Sequence, residues 1–63
     1  MKVYILNWEQ MMESYTEYGT SGVFYTLKEA KETILKLKDE FSPTPDWTIL
    51  ETTIGSDYLT KVN

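Results

Sequence analysis

Glu9, Glu13 and Glu17 are the residues whose type and spacing best suit chemistry: three carboxylates at four-residue intervals, interleaved with Met11, Met12, Tyr15 and Tyr18. Oxygen ligands of this kind suit a hard divalent cation if the chain folds them together. The plainer reading, a solvated acidic segment, is preferred. Ser14, Ser21, Ser42 and Ser56 have no histidine anywhere in the chain to activate them. Lys28, Lys31, Lys36 and Lys38 fall on or beside the polar side of a helical pattern, where they are ordinary ammonium groups. Gly19-Thr20-Ser21-Gly22 lacks the lysine and the following helix of a phosphate-binding loop. Catalysis needs a nucleophile with a base, a metal or paired carboxylates. The expectation is therefore a protein that is not an enzyme, with no cofactor and no metal.

The elements that position these residues centre on residues 26–41, TLKEAKETILKLKDEF. Leu27, Ala30, Ile34, Leu37 and Phe41 follow a three–four spacing and share one helical face. Thr26, with Glu29 three positions on, is a capping box. Pro43 and Pro45 stop the helix, because neither can donate a backbone hydrogen bond. The spacing predicts one amphipathic helix over about 27–41.

Around it lie short strand-like runs. Residues 2–8, KVYILNW, are β-branched and aromatic. They place Val3 and Ile5 on one face and Tyr4, Leu6 and Trp8 on the other. Both faces are apolar, so the side that meets the helix stays open. Residues 9–22 permit a helical turn through Trp8, Met11, Met12 and Tyr15. The preferred alternative is a strand running past Gln10 into an irregular hairpin loop that closes through Gly19 to Gly22. Residues 22–25 then form a second strand. Residues 47–54 are the clearest strand, with Trp47 and Ile49 on one side and Leu50 and Ile54 on the other. After a turn at Gly55-Ser56-Asp57, residues 58–62 return as a fourth strand or pack as a tail. A crossover from strand two through the helix to strand three leaves room for strand one between them. The predicted fold class is α+β: residues 1–63 form a single small ββαβ(β) domain. Its antiparallel sheet has three or four strands in order 2-1-3, with one helix on one face.

The totals set bounds on partners. A chain of 63 residues is close to the lower limit for folding alone. With no cysteine and no histidine, neither disulfides nor the common zinc ligands are there to help. A good core or an oligomer has to do so instead. The composition is globular: 41% apolar, 14% aromatic and a net charge of −4. All six cations are lysines. Without arginine, and with an acidic balance, direct nucleic-acid binding is disfavoured. Neither a signal peptide nor an apolar run of about 20 residues is present, so a soluble cytoplasmic protein with no membrane partner is expected.

One helix cannot cover two sheet faces, and the strands carry more apolar surface than it can bury. An uncovered apolar face of this kind marks an interface, unless the 9–18 loop or the tail folds back over it. Self-association into a homo-oligomer is expected through Tyr4, Leu6, Trp8, Leu50 and Ile54. A protein partner, a host protein that is inhibited or adapted, is expected on the 9–20 loop through Met11, Met12, Glu13, Tyr15, Glu17 and Tyr18, since aromatic anchors favour interfaces. Two alternatives are an oligomeric sponge for a metabolite or signalling nucleotide, and an acidic nucleic-acid mimic.

Lys2-Val3-Tyr4, then Gly22-Val23-Phe24, Thr26 and Glu29-Ala30, then Trp47, Ile49 and Glu51, form a pattern that spans most of the chain. It resembles a group of short uncharacterised phage and bacterial proteins with a K-V-Y strand, a G-V-F-x-[ST]-x-x-E-A strand-to-helix motif and a late W-x-I/V-x-E strand. The resemblance implies the ββαβ fold and a phage or mobile-element origin. Its motifs are a turn glycine, a cap and a helix-to-sheet contact, and it brings no activity or binding residues.

Overall fold

The computed structural model describes residues 1–40 and 44–63. Four strands and one helix follow in the order β1 (Lys2–Met11), β2 (Thr16–Phe24), α1 (Leu27–Lys38), β3 (Asp46–Thr53) and β4 (Thr60–Lys61). The strands form one antiparallel sheet in the order β2-β1-β3-β4. The predicted ββαβ(β) architecture is the one observed, with β1 in the centre and the short fourth strand present.

The β1–β2 hairpin is longer than expected. The first strand runs past Gln10 to Met11, as expected, while residues 16–21, read as loop, belong to the second strand, and the turn is confined to residues 12–15. The Met12 N–H closes it by donating to the Tyr15 carbonyl at 2.7 Å. The run Gly19-Thr20-Ser21-Gly22 therefore lies inside a strand. Leu6 pairs with Gly22 while Asn7 pairs with Thr20, which leaves Ser21 as the extra residue of a β-bulge. A bulge resets the side-chain alternation of its strand. Gly22 and Phe24 stand on one face with Leu6 and Tyr4; beyond the bulge, Gly19 and Glu17 continue that face, and Thr20 and Tyr18 turn to the other.

Thr26 caps the helix as expected. Its Oγ1 accepts from the Glu29 N–H at 3.1 Å, and its hydroxyl donates to the Glu29 carboxylate at 3.0 Å. The carboxylate thus meets the capping hydroxyl itself, where a capping box sends it to the backbone N–H. The helix ends with Asp39 as its C-cap. The expected last apolar position, Phe41, and the stop at Ser42-Pro43 lie outside the described residues.

The core is small. Leu6, Ala30 and Ile49 are fully buried, ringed by Tyr4, Phe24, Leu27, Ile34, Leu37, Trp47 and Val62. Leu6 and Ile49 face each other across β1 and β3, and a helix position as small as alanine lets α1 settle directly onto them. The question left open by β1 is resolved in favour of Tyr4, Leu6 and Trp8 on the helix side. These three offer more apolar area to the single helix than Val3 and Ile5, and burial scales with area.

Residues 62–63 pair with β3 alongside β4. The Val62 N–H donates to the Ile49 carbonyl at 3.0 Å. The Asn63 side chain then accepts from the Ile49 N–H at 2.7 Å and donates to the Trp47 carbonyl at 2.9 Å. A side-chain amide thus continues the ladder beyond Lys61, the last residue of β4. Between β3 and β4, Gly55 takes φ +90°, the left-handed conformation this turn requires. The Thr52 hydroxyl holds the connection by donating to the Tyr58 carbonyl at 2.6 Å.

Candidate interaction surface

The face of the sheet opposite α1 is built in rows set by strand register. Val23, Ile5 and Leu50 are paired across β2, β1 and β3, and Lys61 of β4 ends the row. Ile5 and Leu50 are half-buried, while Val23 is 60% exposed. Beside this row Val3, paired with Thr52, is buried. Next comes a polar row of Thr20, Asn7 and Thr48, in which the Thr20 hydroxyl donates to Asn7 Oδ1 at 2.9 Å. The third row is Tyr18, Glu9 and Asp46. Two carboxylates directly opposed on one face repel each other, and both are exposed. A basic group on a partner would relieve that repulsion.

Beyond the third row, β1 and β2 leave β3 behind and project as a two-stranded arm. Gln10 pairs with Glu17, Met11 with Thr16, and the turn follows. Met11 is 83% and Tyr18 80% exposed, and Tyr15 and Met12 are exposed as well. The Tyr15 hydroxyl donates to the Glu17 carboxylate at 3.5 Å, a long contact on the surface of the arm.

The expected site residues divide accordingly. Met11, Met12, Glu13 and Tyr15 gather at the end of the arm, Tyr18 stands on the open face behind them, and Glu17 projects on the helix side. Glu9, Glu13 and Glu17 therefore do not converge. Among the described residues, no group of three or more carboxylates is placed to hold a metal ion. Of the residues expected on the self-association face, the structure moves three to the other side. Tyr4, Leu6 and Trp8 lie under α1, Leu6 with no exposed surface. Leu50 is on the open face, and Ile54 is exposed in the β3–β4 connection, its N–H donating to the Met1 carbonyl at 3.1 Å. Residues 9–11, 16–18 and 60–61 extend the strands in the plane of the sheet, whereas the start of the 58–62 tail reaches the open face at its Val3 end, where the Thr52 hydroxyl donates to the Tyr58 carbonyl and Val3 is buried.

Ile5, Val23 and Asp46 are the residues of this surface that sequence reading passed over. Their signal is the alternation of Thr16–Phe24 once one extra residue is allowed at Ser21, and the register it then imposes on β1 and β3.

The dimensions point the same way. The molecule is a slab of 38 × 24 × 15 Å with a radius of gyration of 12.4 Å, against about 11 Å for a compact chain of this length. It exposes 4867 Å², where a monomer of its mass exposes about 4200 Å². The excess reflects the flat slab and its projecting two-stranded arm. Among the described residues, no helix is long and apolar enough to cross a membrane.

Compared with known proteins, the chain matches no family model, no curated protein and no solved structure.

Proposed function

We propose that this chain is a non-enzymatic interaction module that pairs with a second copy through the open sheet face and holds a protein partner on the β1–β2 arm. The observation that carries the reading is the Val23–Ile5–Leu50 row, an apolar strip across three strands over which no helix or strand of the described residues is laid. Two copies related by a two-fold axis bring these strips together in a helix–sheet–sheet–helix stack, the aligned packing that sheets adopt face to face. The arms remain free at opposite ends of such a stack. Met11, Met12, Tyr15 and Tyr18 give each arm the flexible and aromatic contacts favoured at protein interfaces, and Glu9 and Asp46 at its root favour a basic surface on the partner.

In this reading the protein acts in the cytoplasm and inhibits or adapts the host protein it holds; its phage or mobile-element origin rests on the sequence resemblance alone. The pairing is tested by light scattering, which is expected to return twice the 7.4 kDa of one chain. The arm is tested by replacing Met11, Met12, Tyr15 and Tyr18 together with alanine. That variant is expected to keep its circular dichroism and its dimer mass and to lose partner capture from host lysate. Capture that survives the replacement moves the site off the arm.

A further inference from the structure

On the helix side of the sheet, away from the open face, a cleft of about 450 Å³ opens between the strands and the carboxyl-terminal half of α1. Its size lies within the range of small-ligand sites. Trp8 and Trp47, directly paired across β1 and β3, both line it, and Leu37, Pro45 and Thr33 contribute the walls. Gly19 makes room for one of the indoles, since a Cβ there would stand 3.0 Å from the Trp8 ring.

Glu17 is the one charged residue of the lining among the described residues. It is exposed, and the Tyr15 hydroxyl donates to its carboxylate at 3.5 Å, a long contact. Lys38 belongs to the adjoining crevice on the other side of Trp47. The end of α1 that reaches the cleft is its carboxyl end, where Lys36 and Lys38 in the last turn offset the negative pole of the helix dipole. Trp47 Nε1 is buried with no acceptor among the described residues. Two indoles and one carboxylate are together the surroundings that favour an organic cation, and the net charge of −4 raises the local concentration of such ions.

We propose that the Trp8–Trp47 cleft binds a small quaternary or alkylated ammonium ion, its apolar methyl groups against the indoles and its charge balanced by Glu17. The site is independent of the pairing face, which lies on the opposite side of the sheet. Choline, titrated into the full chain at constant ionic strength with sodium chloride as the balancing salt, is the probe, and tryptophan fluorescence is the readout.

A saturable change is expected, with 3,3-dimethylbutanol, the neutral isostere, binding about ten-fold or more weakly, because the isostere keeps the shape and loses the cation–π and carboxylate terms. E17Q, at an exposed position, is expected to keep the circular dichroism of the parent and to weaken choline several-fold. No saturable change with choline overturns the proposal. So does equal binding of the isostere, or an unchanged affinity in E17Q.

Discussion

A Cβ at Gly19 would stand 3.0 Å from the Cε2, Cζ2 and Nε1 atoms of Trp8, so the absence of a side chain there sets where the indole lies. Gly19→Val is expected to push the ring away and to destabilise by about 1–3 kcal/mol, as overpacking does. A gain in strand propensity offsets at most about 1 kcal/mol of that. The checks are a chemical melt and the tryptophan emission maximum, which shifts red as the indole is exposed. An unchanged emission spectrum would show that Trp8 does not rest on Gly19. Gly22 plays a similar part under Phe24, whose ring comes within 3.1 Å of a Cβ built there; an aromatic ring over a strand glycine restores the apolar cover that the glycine lacks. At the helix start, Thr26→Ala removes the acceptor of the Glu29 N–H and is expected to cost about 1 kcal/mol in the same melt. These residues also show why the hairpin was harder to read than the helix. Glycines mark turns and bulges alike, and only the register of β1 against β2 distinguishes a loop at Gly19 to Gly22 from a strand with Ser21 as its extra residue.

Among the elements, α1 was the most legible, because a 3.6-residue period and a capping threonine both belong to local sequence. The strands were legible as strands but not as faces. With Val3 and Ile5 on one side of β1 and Tyr4, Leu6 and Trp8 on the other, both sides are apolar, and alternation alone cannot choose between them. The helix chooses, and it takes the larger set. Its hold is concentrated at Leu6, which has no exposed surface and faces Ile49 beneath Ala30. Leu6→Ala is expected to cost about 2–5 kcal/mol. For a core of this size that is most of the stability, so the variant should be largely unfolded by circular dichroism at room temperature. A cooperative fold at full amplitude would place the core elsewhere. The two sheet edges are handled differently. Asn63 seals β3 with two hydrogen bonds from one side chain, a detail that no residue pattern announces, because the pairing is made by an amide beyond the end of the strand. Asn63→Ala leaves those groups on β3 to water and is expected to cost about 1–2 kcal/mol. It should also speed hydrogen exchange at the Ile49 amide while leaving amides on β1 unchanged.

For the whole molecule, the surface is large for the mass and the core is slight. Val3, Leu6, Ala30, Pro45 and Ile49 are the buried apolar residues among those described, in a chain at the size where a single core barely suffices. The proposed pairing through the open face would add a second apolar layer on the other side of the same sheet and so couple folding to association. The thermal midpoint is therefore expected to rise with protein concentration, as it does whenever the native state alone binds a partner; a midpoint independent of concentration would argue for a self-sufficient monomer. The most direct measurement is sedimentation velocity on the parent chain and on Val23→Lys, from micromolar to millimolar concentration. Val23 is 60% exposed at the outer end of the apolar row, so a lysine there places two ammonium groups in the proposed interface and costs the isolated fold little. The account predicts a parent species of twice 7.4 kDa and a variant that sediments as the single chain with an unaltered circular dichroism spectrum. A parent that stays at 7.4 kDa throughout, or a variant that dimerises as the parent does, would contradict it.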